Sequence, residues 1–121
     1  MRGMVLVSHS EDIVNGLFKL LKEITKNTPI TLGGGLDENL IGTTFDRVLA
    51  AVEENPADEI YIFYDLGSAK MNIEMVMESS DKKLHLIHAA LVEGAFVAAT
   101  LLEAEVSHEN IMKQLEPLIV K

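Results

Sequence analysis

Hydrophobic and polar positions follow two rhythms along the chain. Short apolar-rich runs at Met4–Val7, Ile30–Leu32, Glu59–Tyr64 and Lys83–Ile87 are each closed by polar or glycine residues. Runs of that length with such ends predict buried strands, β1 to β4 in that order. Between them, apolar residues recur at helical spacing. Ile13, Leu17, Leu20, Leu21 and Ile24 predict a helix α1, capped by Ser10, with Glu11 and Asp12 in its first turn and Asn27 and Pro29 as its end. Phe45, Val48, Leu49 and Val52 mark α2 (about 44–54), with Thr43 and Asp46 as its capping box and Asn55-Pro56 as its stop. A third helix, α3, runs from a cap at Ser68 to about Glu78. After a loop over Ala89–Gly94, α4 (about Ala95–Ala104) is apolar on nearly all sides, the mark of a buried helix or a subunit interface. Ser107 caps α5, whose stripe is Ile111, Leu115 and Leu118, and Pro117 stops or kinks it. The tail Leu118–Val120 reads either as a frayed end or as a short edge strand.

Four strands alternating with helices predict an α/β fold, a doubly wound and mostly parallel sheet in one domain spanning residues 1–121. In such sheets functional residues gather at the carboxyl ends of the strands, near the point where the strand order reverses. Ser8, His9 and Ser10 follow β1. The glycines Gly33, Gly34 and Gly35, running on to Gly42, Thr43 and Thr44, follow β2. Asp65, Gly67 and Ser68 follow β3, and His88 with Glu93-Gly94 follows β4. One rim is therefore expected to hold a histidine, an aspartate, several hydroxyls and many glycines.

The remaining composition narrows the setting. A net charge of −9 argues against nucleic acid and anionic membranes, which demand clustered Lys and Arg. The chain has no cysteine, no apolar stretch near the ~20 residues of a membrane span and no signal-peptide pattern at its start, so a cytoplasmic protein is expected. At 121 residues it can bury a core without disulfide or metal staples.

His9 is the most informative position. It stands where a strand hands over to a helix, and the free N–H groups of a helix start attract anions. An imidazole, with an ordinary pKa of ~6.5, is largely uncharged near neutral pH and available to attack. Asp65, one strand over, is placed to bond the other ring nitrogen and fix the tautomer. Plainer readings stand beside this one: a loop histidine, an Asx-turn at Asp65, an N-cap at Ser68. The glycines match neither the dinucleotide fingerprint nor a P-loop. His85 and His88 face opposite sides of a strand with no carboxylate pattern beside them, so no metal site is expected. A Ser68–His9–Asp65 hydrolase triad is compatible with the topology, although neither serine lies in a G-x-S-x-G elbow. A receiver domain would need an acidic pair where Ser8-His9 stands.

The segments VSHS (7–10), GGGLDENLIGTTFD (33–46), YDLGSAKMN (64–72) and ALVEGA (90–95) carry a more specific signal. Together they resemble the phosphotransferase subunits of bacterial dihydroxyacetone kinases, a branch of the mannose-type IIA family of the phosphoenolpyruvate-dependent phosphotransferase system. The resemblance spans essentially the whole chain. It implies strand order 2-1-3-4, often with an extra antiparallel edge strand, and a homodimer. It also implies that His9 is phosphorylated on Nε2, that Asp65 orients the ring, and that Ser68 lines the pocket. The loop from Gly33 to Thr44, Thr43 included, is implied to lie beside the histidine. Ser8, Ser10, Gly67 and Ser68 are then expected around the phosphoryl oxygens. The implied donor is the carrier protein HPr. The implied acceptor is ADP, with Mg²⁺, on a nucleotide-binding (DhaL-type) subunit that serves a dihydroxyacetone-binding (DhaK-type) subunit; no cofactor is expected within this chain. Lys70 and Ala90 depart from the family pattern, and carrier domains fused in some relatives are expected here as separate proteins. A IIA unit of a mannose-class sugar transporter, passing phosphate to a IIB protein, is the alternative within the family. A non-catalytic binding module is the alternative outside it.

Overall fold

The apolar runs form the centre of a sheet covered on both faces. A computed structural model describes residues 1–121. Strands β1 (Arg2–Ser8), β2 (Ile30–Gly34), β3 (Glu59–Tyr64) and β4 (Lys83–Ile87) are all parallel, in the order β2-β1-β3-β4. Alternating side chains of the two central strands supply two cores. Met4, Leu6, Tyr61 and Phe63 pack under α1 (Glu11–Lys22), α4 (Leu91–Glu103) and α5 (His108–Leu115). Val5, Val7, Ile60, Ile62 and Tyr64 pack under α2 (Phe45–Glu54) and α3 (Lys70–Ser79). Burial of a large apolar side chain contributes about 1.5–3 kcal/mol. The central strands are thus the most strongly fixed part of the molecule, and they carry the rim. No helix is long and apolar enough to cross a membrane.

Local chemistry sets the helix ends. The Ser10 hydroxyl accepts the Ile13 N–H at 3.3 Å, and that of Ser107 accepts the Asn110 N–H at 3.2 Å. Pro117 falls in a 3₁₀ turn (Glu116–Leu118) that follows α5. Asn55, buried after α2, donates to the Met4 carbonyl and accepts the Ala57 N–H, both at 3.0 Å, locking the α2–β3 connection to β1.

Three details differ from the sequence expectation, and a fourth decides what it left open. The cap of α2 is Thr44, whose hydroxyl accepts the Arg47 N–H at 3.1 Å. Thr43 stays outside the helix, its hydroxyl 3.4 Å from the Gly33 carbonyl. Both threonines suit a cap in sequence; anchorage of the preceding Gly42 to His9 selects the later one. Ser68 does not cap α3, which continues directly from a 3₁₀ turn (Gly67–Ala69). Helix α4 begins at Leu91, so Gly94 is helical and not in a loop. Glycine stands there because a Cβ would come 2.7 Å from Ala89 Cβ and 3.3 Å from the Phe63 ring. One face of α4 (Ala95, Ala98, Ala99, Leu102) is buried, while Val92 and Phe96 remain exposed. Lastly, the tail makes a single antiparallel bridge, Ile119 to Ala89, and no fifth strand.

Glu103, at the end of α4, holds the α1–β2 connection. It accepts the N–H groups of Asn27 and Thr28 and, at 2.8 Å, the Thr28 hydroxyl. The Thr28 hydroxyl and then the backbone donors of Lys26, Asn27 and Thr28 lower its pKa from an ordinary 4.5 to about 2. Between those values the unfolded chain binds a proton that the folded chain does not, so Glu103 stabilises the fold above pH 4.5 and the effect is lost as pH falls toward 2. Glu103→Gln should melt below wild type at neutral pH, and the gap in melting temperature should narrow across that acidic window. A gap that does not change with pH would contradict this role.

Candidate functional site

The chain leaves β1 toward one edge of the sheet and β3 toward the other. Their carboxyl ends therefore border the crevice where open α/β sheets place ligands. His9 follows β1 and Asp65 follows β3. Asp65 Oδ1 lies 3.0 Å from His9 Nδ1 and accepts the Leu66 N–H at 2.7 Å. Its Oδ2 accepts the His9 backbone N–H at 3.0 Å and the Ser8 hydroxyl at 2.7 Å. Burial alone would raise the Asp65 pKa. The His9 N–H, the Ser8 hydroxyl, the His9 ring and the Leu66 N–H outweigh it and hold the carboxyl below its ordinary range. An ionised carboxylate only accepts, so the ring proton sits on Nδ1 and the lone pair on Nε2.

That lone pair faces Ser68, whose hydroxyl lies 2.7 Å from Nε2 and donates to it. The His9 side chain keeps 20% of its surface exposed, against 14% for Asp65, so the ring is braced from behind and approachable in front. The Ser8 hydroxyl is fully buried and engaged: it donates to Asp65 and accepts the Ser10 N–H at 3.0 Å. The Ser10 hydroxyl is spent on its cap. Of the hydroxyls expected around the phosphoryl oxygens, the structure brings only that of Ser68 to the ring. Gly67 lies in the same turn, with open space where a side chain would project.

The glycine segment supports the site from the side. Gly33 and Gly34 belong to β2, paired with Val7 and Ser8. The Gly35 N–H donates to the Ser8 carbonyl at 3.1 Å, and the Gly42 N–H to the His9 carbonyl at 2.7 Å. Gly35 has φ 71°, and a Cβ there would meet Glu11 Cβ at 2.9 Å, so only glycine lets this loop pass the start of α1. Leu40, Ile41, Leu66 and Met71 are exposed in the segments flanking His9 and Asp65.

Two contacts of the C-terminal tail carry no sequence signal. The Lys121 ammonium donates to the Tyr64 and Asp65 carbonyls, 2.7 Å from the latter, and lies over the Tyr64 ring. The Val120 N–H donates to the His88 carbonyl, and the His88 ring bonds the Tyr64 hydroxyl at 2.7 Å. His88 thus ties the tail down and leaves His9 alone. The expectation that no carboxylate accompanies the β4 histidines is corrected: His85 Nε2 lies 2.7 Å from Glu59 Oε2. Glu59 opens β3 and faces His85 diagonally across the sheet, a pairing that spacing within one strand does not reveal.

Comparison with known proteins gives the chain its family and fold. Residues 3–112 match the family described as the PTS system fructose IIA component. The PTS-dependent dihydroxyacetone kinase phosphotransferase subunit DhaM of Lactococcus lactis subsp. lactis is 49% identical, over 98% of this chain and 97% of that protein. The phosphoryl donor subunit DhaM of PEP-dependent dihydroxyacetone kinase 1 from Listeria innocua is 44% identical, over 98% and 96%. A crystal structure of a protein of unknown function superimposes with a TM-score of 0.85 at 26% identity, covering 99% of this chain and 96% of that one.

Asp65 control of the His9 tautomer has a direct readout. Nitrogen-15 shifts of the imidazole should show the Nδ1–H form in wild type and a mixture with the Nε2–H form in Asp65→Asn, whose side-chain amide can present a donor to Nδ1. An unchanged spectrum in the variant would remove Asp65 from this role.

Proposed function

The chain belongs to the fructose IIA component family of the phosphotransferase system, and on that premise we propose that it carries a phosphoryl group on His9 as the phosphoryl donor subunit of a dihydroxyacetone kinase. The observation that carries this reading is the line Asp65–His9–Ser68, in which Nδ1 is held by the carboxylate and Nε2 meets only the hydroxyl of the exposed Ser68. Nε2 attacks the phosphorus of a phosphohistidine on the donor protein. A bond forms from Nε2 to phosphorus, the donor's nitrogen–phosphorus bond breaks, and its imidazole departs with the electron pair. Such transfer depends mainly on positioning and charge stabilisation. Asp65 stabilises the positive charge that builds on the His9 ring. The Ser68 O–H, displaced from Nε2 as the new bond forms, turns to a phosphoryl oxygen.

The proposed donor is HPr, and the proposed acceptor is ADP on a DhaL-type subunit. The exposed apolar residues Leu40, Ile41, Leu66 and Met71 suit a site that meets proteins in turn. Transfer to a IIB protein of a sugar transporter would use the same chemistry; the named relatives favour the kinase.

One observation favours a second reading. Ser68, His9 and Asp65 stand in the relation of a hydrolase triad, nucleophile to base to orienting acid. The two readings separate at Ser68. In a hydrolase its hydroxyl is the nucleophile and its loss abolishes turnover. In a phosphoryl carrier it is one donor among several, worth roughly 1.5–3 kcal/mol when bonded to a charged group, or about 10–100-fold in rate. With enzyme I, HPr and labelled phosphoenolpyruvate, Ser68→Ala should still take up one acid-labile phosphoryl group, more slowly, and His9→Ala none. Fluorophosphonate labelling of Ser68 in wild type, with no phosphoryl uptake, would establish the hydrolase instead.

A further inference from the structure

At the other end of the sheet, one ligand atom from each of Glu59, His85 and His108 lies within 4.8 Å of the other two. We propose that these three residues form a second site, a two-histidine, one-carboxylate centre for a divalent transition ion of the zinc class. Glu59 opens β3, His85 sits in the middle of β4, and His108 is the first residue of α5, so the ion would clip that helix to the sheet. Glu59 is separated from Asp65 by the length of β3, roughly 20 Å at ~3.3 Å per residue, which makes this centre independent of the phosphoryl site.

The donor set decides which ion fits. Imidazole nitrogens with one carboxylate suit zinc, whereas calcium and magnesium require shells of oxygen. The nearby cations Arg2 and Lys83 weaken any cation site, so only an ion with strong bonds to nitrogen overcomes them. The contact between His85 Nε2 and Glu59 Oε2 has the form of a site bridged by hydrogen. On binding, the bridging proton leaves Nε2, moving to Nδ1 of a neutral ring or to solvent from an imidazolium, so that the ligating imidazole is neutral with its proton on Nδ1, and both donors open slightly around the ion. His108 is exposed and lies stacked on His85, with centroids 4.4 Å apart, so its ring can pivot out of the stack to bring Nε2 inward. Its Nδ1 is 2.6 Å from the hydroxyl of Tyr61, a fully buried side chain. That partner leaves Nε2 as the free ligand atom, which is how an outer residue orients a metal-binding histidine. Three protein ligands around a tetrahedral ion leave the fourth position to water.

The test uses the whole chain, stripped of metal by chelator and titrated with zinc chloride under calorimetry and thermal denaturation. Wild type and His9→Ala should each bind one equivalent and melt at a higher temperature with the ion, since binding to the folded state alone stabilises it. Glu59→Gln and His108→Ala should each weaken binding at least tenfold, because loss of even an outer partner costs about 10–100-fold. Tyr61→Phe should fall within that outer-partner range. Magnesium should produce no shift. Absence of zinc binding by wild type, binding unchanged in both His108→Ala and Glu59→Gln, or binding abolished by His9→Ala would each overturn the proposal.

Discussion

Four hydrogen bonds converge on the Asp65 carboxylate, and the site depends on them. They come from the Ser8 hydroxyl, the His9 backbone and ring, and the Leu66 N–H, so a single side chain ties the end of β3 to the end of β1. The same bonds keep the group ionised against burial, and the ionised group fixes which nitrogen of His9 is free. Tautomer, ring orientation and loop position are thus set together. The arrangement is strong because its supports are buried: Ser8 and the strand residues before Asp65 have essentially no exposure. An imidazole tethered this way loses little freedom when a phosphoryl donor arrives, which is where positioned groups gain their rate.

Much of this was legible in the sequence. The strands read out because each is a short apolar run with a clear end, whereas their order came only from the family resemblance that the segment motifs carry. His9, Asp65 and Ser68 were legible as a group because parallel strands bring their carboxyl ends to one rim whatever the exact boundaries. Ser8 and Ser10 were harder. A serine beside a reactive histidine serves equally well as a ligand for phosphate, a brace or a helix cap, and only the direction of its hydroxyl decides; here Ser8 points inward to Asp65 and Ser10 caps α1. The Thr43–Thr44 ambiguity has the same origin, since either residue satisfies the cap pattern until the loop is anchored.

Other features were not legible because they rest on contacts distant in sequence. Lys121 reaches the Asp65 carbonyl from 56 residues away. Gly94 looks like a loop residue until the Phe63 ring is placed beneath it. The Glu59–His85–His108 cluster joins two strands and a helix, so scanning one element at a time misses it. In each case the missing information was tertiary proximity, and at Gly94 it overrode the local preference of glycine for a loop.

The central claim is that Asp65 holds Nδ1 so that Nε2 alone receives the phosphoryl group. Nitrogen–phosphorus correlation by NMR on the phosphorylated protein, with nitrogen-15 in the histidine rings, tests it most directly. The account predicts phosphorus bonded to Nε2 of His9, with Nδ1 still protonated and hydrogen-bonded to Asp65. Phosphorus on Nδ1, or on any other residue, would contradict it.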